Sequence, residues 1–170
     1  MEKRCTDLQN NLKNINLKYE VLETKIHQIE QSQLANQLEI CGIKETEKED
    51  VEEIAKDIAM SILQAPEDII KVYRKKRNRL NNQKSMDNSV ITVILREGIR
   101  DMWIEAAKSS PINAEKLGLE KNNKIYLRES LTPATAFLLW KTKEELKGTF
   151  KFIWCKHGSV LVRKSENKKL

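Results

Sequence analysis

The chain is poor in the residues that build nucleotide loops, metal sites and disulfide frameworks. Only five glycines occur in 170 residues, and neither GxGxxG nor GxxxxGK is present, which excludes a phosphate-cradling loop of the usual kinds. The two histidines (His27, His157) and the three widely separated cysteines (Cys5, Cys41, Cys155) form no CxxC pair, no CCHC knuckle and no His-rich spacing. Neither a zinc site nor a disulfide framework is therefore expected. No run of 18 apolar residues occurs, so no spanning helix is expected. The N-terminus lacks the charged-then-apolar pattern of a signal peptide, which makes a cytoplasmic or nuclear location the expectation. No nucleophile is paired with a base. The carboxylates between Glu45 and Asp57 read as the solvated, dipole-favoured start of a helix. A non-enzymatic protein without metal or cofactor is expected.

What the chain has in quantity is charge, in blocks. Seven basic residues and no acidic one fall between Lys71 and Lys84, and the 50 residues from Lys121 hold 12 Lys/Arg against four Glu. Residues 38–70 carry three Lys against ten Asp/Glu, whereas residues 1–37 balance at five and five. A net charge of +6 divided in this way points to a polyanion, of which nucleic acid is the commonest.

Residues 5–33 carry a heptad pattern without Gly or Pro. Leu8, Ile15, Leu22 and Ile29 recur every seven residues, as do Leu12, Tyr19 and Ile26, giving the d and a positions of a coiled coil. Lys18 and Lys25 then fall at g, and Glu23 and Glu30 at e, the pairing that favours a parallel homo-oligomer, a dimer or a trimer. The seam begins within a few residues of Met1, the pattern expected of a piece or a short version of a longer coil.

After residue 36 the period changes. Leu38–Ile43 alternates like a strand closed by Gly42. Val51, Ile54, Ala55, Ile58 and Ile62 mark one helix face over about residues 49–64, stopped by Pro66. Strands follow at Ile69–Arg74 and Val90–Leu95, the latter apolar on both faces and so central. A second helix holds Ile99, Met102, Trp103, Ala106 and Ala107, and Lys124–Arg128 is a fourth strand. The order β-α-β-β-α-β is the ferredoxin-like layout used by RNA-recognition (RRM) domains. Such domains carry exposed aromatics on their first and third strands. Here Glu39 and aliphatic residues stand there, so base stacking on the sheet is not expected, and another element is expected to cover the open face. The second strand places Ile70 and Val72 on one face and a basic-aromatic stripe of Lys71, Tyr73 and Lys75 on the other.

Thr132-Pro133 is a helix start and Gly148 a stop, enclosing Phe137, Leu138 and Trp140 beside Lys141, Lys143 and Lys147. A hairpin turning at His157-Gly158 then pairs Trp154 with Leu161 and Phe152 with Arg163. Its other face, Ile153, Cys155, Val160 and Val162, is expected to pack on the helix. His157 is read as a turn residue. The fold expected is α+β: a coiled-coil arm (1–36), an RRM-like domain (37–128) and a basic helix-plus-hairpin domain (129–170).

The residues proposed to bind nucleic acid are Lys71, Tyr73, Arg74, Lys75, Lys76, Arg77, Arg79 and Arg128, with Lys141, Lys143, Lys151, Trp154, Lys156, Arg163 and Lys164 from the C-terminal segment. Those proposed to oligomerise the chain are Leu8, Leu12, Ile15, Tyr19, Leu22, Ile26 and Ile29. The stretch Lys124–Lys164, with Glu129, Leu131-Thr132-Pro133, Trp140-Lys141, Trp154, Gly158 and Val162-Arg163-Lys164, resembles the C-terminal domain of the baculovirus few-polyhedra (FP) proteins and their insect relatives. Leu38–Ile54 resembles the segment that follows their coiled coil. The order of parts is similar to that of the first-reading-frame proteins of LINE-type retrotransposons. The resemblance implies oligomerisation through the coil, single-strand nucleic-acid binding in a cleft between the two domains, and, for retrotransposon relatives, chaperoning in a nucleoprotein particle. For viral FP proteins it implies a part in occlusion-body and virion formation. The zinc modules of some insect relatives are missing. The alternative expectation is a structural or adaptor protein that uses the coil and the acidic helix to engage protein partners.

Overall fold

The computed structural model describes residues 2–75, 90–115 and 124–165, and the chain divides into two compact units, Leu34–Ser130 and Met1–Gln33 with Leu131–Leu170.

The Leu34–Ser130 unit is a four-stranded antiparallel sheet of β1 (Gln37–Cys41), β2 (Ile69–Lys75), β3 (Val90–Leu95) and β4 (Tyr126–Glu129) in the order β2-β3-β1-β4. Helices α2 (Val51–Ser61) and α3 (Arg100–Ser109) connect β1 to β2 and β3 to β4, so the β-α-β-β-α-β order read from the sequence is present. The central position of Val90–Leu95 is present too. Asp50 caps α2 by accepting from the backbone N–H of Glu52 and Glu53 at 2.9 and 3.1 Å, and those two carboxylates sit where the helix dipole favours them. Ala55, Ile58, Ala59 and Ile62 of the α2 segment and Trp103 of α3 join Leu38, Ile40, Val72, Ile91, Val93, Leu95 and Leu127 in one core. Alternation along each strand puts that set on one face of the sheet. Gly42 ends β1 at φ +94, and a Cβ there would lie 2.2 Å from the carbonyl oxygen of Lys124, so the close approach of the two segments requires glycine.

One strand departs from simple alternation. The register of β2 slips between Ile69 and Lys71, which pair with consecutive residues Leu95 and Ile94. Ile70 is the extra residue of this bulge and is exposed, so it does not share a buried face with Val72 as the sequence pattern predicts.

The other unit contains α1 (Glu2–Ser32), α4 (Pro133–Leu146) and a hairpin of β5 (Phe152–Lys156) and β6 (Ser159–Arg163). Thr132 caps α4, its Oγ1 accepting from the N–H of Thr135 at 3.2 Å, and Pro133 follows at the first helical position. The N–H of Thr132 donates to Oε1 of Gln31 at 3.1 Å, joining the end of α1 to the start of α4. The hairpin turns in two residues, His157 (φ 52) and Gly158 (φ 73), as a primed turn demands. The predicted pairs Trp154–Leu161 and Phe152–Arg163 are the observed ones. Gly158 is held close to Gln31, whose Cγ a Cβ at 158 would approach to 2.4 Å.

The two units differ in what they bury. Every buried apolar residue among those described lies between Leu38 and Leu127, while the α1–α4–hairpin unit buries only Thr132 and Thr135. No residue of either hairpin face is fully buried, so the expected dry packing of Ile153, Cys155, Val160 and Val162 on the helix is only partial.

Candidate nucleic-acid interface

On the Leu34–Ser130 unit the sheet face away from α2 and α3 is read by register. Tyr73 pairs with Thr92, Thr92 with Glu39, and Glu39 with Arg128, so these four side chains form one row across all four strands. Lys71 and Lys75 flank Tyr73 on the same face of the edge strand β2. Both are exposed, and Nζ of Lys71 lies 5.9 Å from the centre of the Tyr73 ring. The predicted stripe of Lys71, Tyr73 and Lys75 is thus assembled at the sheet edge.

Arg74 points the other way. Its Nε and Nη2 donate to the two carboxylate oxygens of Glu49, and its Nη1 donates to the carbonyl of Ile43 at 3.1 Å. The two side chains are 7% and 11% exposed. Alternation places Arg74 opposite Lys75, and a guanidinium committed to a nearly buried carboxylate is not a phosphate contact. The sequence assignment of Arg74 to the interface is corrected accordingly, as is the reading of the whole Glu45–Asp57 run as solvated. Lys76, Arg77 and Arg79 lie outside the described residues.

Arg128 is on this same face, where Thr92 and Glu39 are buried, and is engaged. Its Nε and Nη2 both donate to Oε2 of Glu39, at 2.9 and 2.6 Å. The Arg128 side chain remains 35% exposed, whereas that of Glu39 is 8% exposed. Burial works against the Arg128 cation. It is outweighed by electrostatic contributions from Cys41, the Glu39 carboxylate and Tyr126 and by the hydrogen bond to Glu39, which together hold the guanidinium above its ordinary value. Glu39 stands where the sequence reading looked for a stacking aromatic, and its part as the partner of Arg128 was not anticipated. Separation of 89 residues hides such a pair until strand order is known.

In the second unit the hairpin gathers a compact set. The Arg163 guanidinium lies 4.9 Å from the Phe152 ring centre and 5.9 Å from that of Trp154. Nζ of Lys151 is 5.3 Å from Phe152, and that of Lys164 is 5.7 Å from Phe150. Trp154 is 38% exposed, so its ring presents area to solvent beside Arg163. Lys156, beside the turn, is exposed. On α4, Lys141 stands 3.9 Å from Glu145, and Lys143 is exposed. Phe137 and Trp140, 60% and 58% exposed with ring centres 5.7 Å apart, form an aromatic pair on the α4 surface that the site assignment left out. Their i, i+3 spacing was the available signal.

Along α1, Leu8, Leu12, Ile15, Tyr19, Leu22, Ile26 and Ile29 are all 54–64% exposed in the single chain. Among the described residues no cluster of His, Cys, Asp or Glu suited to a metal ion occurs, and no helix is long and apolar enough to cross a membrane.

The class of protein so defined is an α+β chain of two compact units, one a four-stranded sheet with two helices and the other a long helix with a shorter helix and a hairpin, each with a basic-aromatic surface. Residues 35–128 match the family described as baculovirus FP protein domain 1, and residues 132–170 match baculovirus FP protein domain 2. The chain belongs to the baculovirus FP protein family. A comparison with curated proteins gave no significant match.

Proposed function

We propose that this protein is a parallel coiled-coil oligomer that binds single-stranded nucleic acid, RNA or DNA, with little base specificity and without catalysis. The observation that carries the reading is the hairpin: an exposed indole beside a phenyl ring, with Arg163, Lys151 and Lys164 ranged over the aromatic surface. Such a surface stacks bases of any identity and neutralises the adjoining phosphates. The Lys71–Tyr73–Lys75 edge repeats the same chemistry on the other module, whose strand order supports kinship with RRM-type domains. With Glu39 in place of an aromatic, binding on that module runs along the edge rather than across the sheet.

Oligomerisation is supported by the seam. Seven large side chains stay more than half exposed on α1, and burial in a coil contributes roughly 1 kcal/mol for each, of order 7 kcal/mol per chain. Among its described residues the unit that contains α1 buries no apolar side chain by itself, so it has most to gain from a partner copy. Several heads on one stalk raise avidity by up to about 100-fold over a single head.

The test is binding to a labelled 20-nucleotide uridine oligomer. Trp154→Ala is expected to weaken binding about 10-fold, the loss of one stacked base. Lys71→Glu with Lys75→Glu is expected to weaken it further. Unchanged affinity in both variants defeats the reading. A second reading, protein contact through α2, is favoured by the exposed Met60 and Leu63 beside Glu52, Glu53 and Asp57. Under it, a pull-down survives nuclease treatment and oligonucleotides do not bind.

A further inference from the structure

The sheet row ends in a cation that lies on the proposed binding face but is already neutralised. We infer that Glu39 sets which cations of this module are available to nucleic acid, by occupying Arg128 as a phosphate would. The inference rests on the nucleic-acid reading above and specifies the roles of residues within it.

Three features support it. Arg128 offers Nε and Nη2 to a single oxygen, Oε2 of Glu39, the convergent geometry with which a guanidinium also takes one phosphate oxygen. The acceptor is nearly buried while the donor is one-third exposed, so Glu39 is fixed by the sheet and Arg128 is the member that reaches solvent. The neighbours of the pair across the sheet, Thr92 and Tyr73, bring no second cation to the row. A phosphate arriving here meets a net charge near zero, whereas at Lys71 and Lys75 it meets two exposed cations. Wild-type Arg128 is therefore silent in binding, and the carboxylate keeps the strand at the β2 edge.

Removing only the negative charge changes this. In Glu39→Gln the shape and an acceptor oxygen remain, and Arg128 gains an unneutralised charge at a third-exposed position. One added phosphate contact to a single strand steepens the slope of log affinity against log salt by about 0.7, and at 0.1 M salt this is about a fivefold gain. The experiment measures affinity of the full chain for the 20-nucleotide uridine oligomer from 0.05 to 0.5 M salt, in Glu39→Gln, Arg128→Gln and the double variant. Glu52→Gln, on the exposed first turn of α2, controls for the same change in net charge.

The expected pattern is a fivefold gain and a steeper slope for Glu39→Gln, no gain for Arg128→Gln, which leaves the Glu39 carboxylate unpaired, and a return to the wild-type level in the double variant. An equal gain in Glu52→Gln, or a gain that persists in the double variant, overturns the inference. So does unchanged binding in Glu39→Gln. The exchange Glu39→Arg with Arg128→Glu keeps a cross-strand pair if Glu39→Gln fails to fold. In the exchanged chain binding at the wild-type level is expected, and a large change contradicts the proposal. Absence of any binding by the wild-type chain would instead defeat the nucleic-acid reading itself.

Discussion

Replacing Arg74 with alanine separates a structural arginine from the cations around it. The deletion leaves the Glu49 carboxylate, 11% exposed, without the guanidinium that contacts both its oxygens. Breaking a buried pair from one side costs about 3–5 kcal/mol, because a charge is left uncompensated in a poorly hydrated place. Glu49 precedes α2 in a connecting segment and can turn toward water, which favours the lower figure. The hydrogen bond to the Ile43 carbonyl adds about 1 kcal/mol. The expected loss is thus about 4 kcal/mol, a fall of about 2 M in the urea midpoint for a slope of about 2 kcal/mol/M. Lys75→Ala, one residue away and exposed, is expected to change stability by less than about 0.5 kcal/mol. Trp103 is fully buried in the core of this unit, so in a Trp140→Phe, Trp154→Phe background its fluorescence follows this transition alone. Replacing both partners, Arg74→Met with Glu49→Leu, is expected to recover most of the loss. A midpoint for Arg74→Ala within about 0.3 M of the parent, together with loss of oligonucleotide binding in the folded protein, would refute the reasoning and return Arg74 to the interface.

Other consequences are more local. Gly42→Ala drives a Cβ to 2.2 Å from a backbone oxygen and holds alanine at φ +94, so a loss of about 3 kcal/mol or more is expected by the same urea assay. Gly158→Ala forces the turn against Gln31, and its cost is expected to be larger in the parent than in a Gln31→Ala background, a non-additivity of about 1 kcal/mol measurable in a thermal double-mutant cycle. Leu22→Asp in the middle of the α1 seam is expected to reduce the mass measured by light scattering to that of a single chain, with the far-ultraviolet signature of the Leu34–Ser130 unit retained.

Much of the architecture was legible because its signals are local. The heptad of α1, the apolar face of α2, the β-branched run of Val90–Leu95, the Thr132-Pro133 start and the His157-Gly158 turn each depend on residues within one or two turns of chain. The hairpin register followed from a two-residue loop alone. What escaped was set by distant partners. Alternation could place Arg74 opposite Lys75, but that Glu49 lies beneath it needed the packing of the α2 approach on β2. The pairing of Glu39 with Arg128 needed the knowledge that β1 lies between β3 and β4. The bulge at Ile70 broke the period on which the face assignment rested, and no residue type at that position announces it. The α4 pair Phe137–Trp140 was visible as aromatics inside a helix. Its exposure was not, because it depends on how little the α1–α4–hairpin unit buries.

Binding measured across a salt series, with the mass of the free protein taken in the same buffers, tests the central claim most directly. Five contacts from Lys71, Lys75, Lys151, Arg163 and Lys164 give a slope of about −3.5 for log affinity for single-stranded oligonucleotides against log salt. Affinity should then fall about 100-fold between 50 and 200 mM salt, for a protein whose mass is two or three chains. A salt-independent affinity, or no affinity, in a protein of single-chain mass would contradict the account.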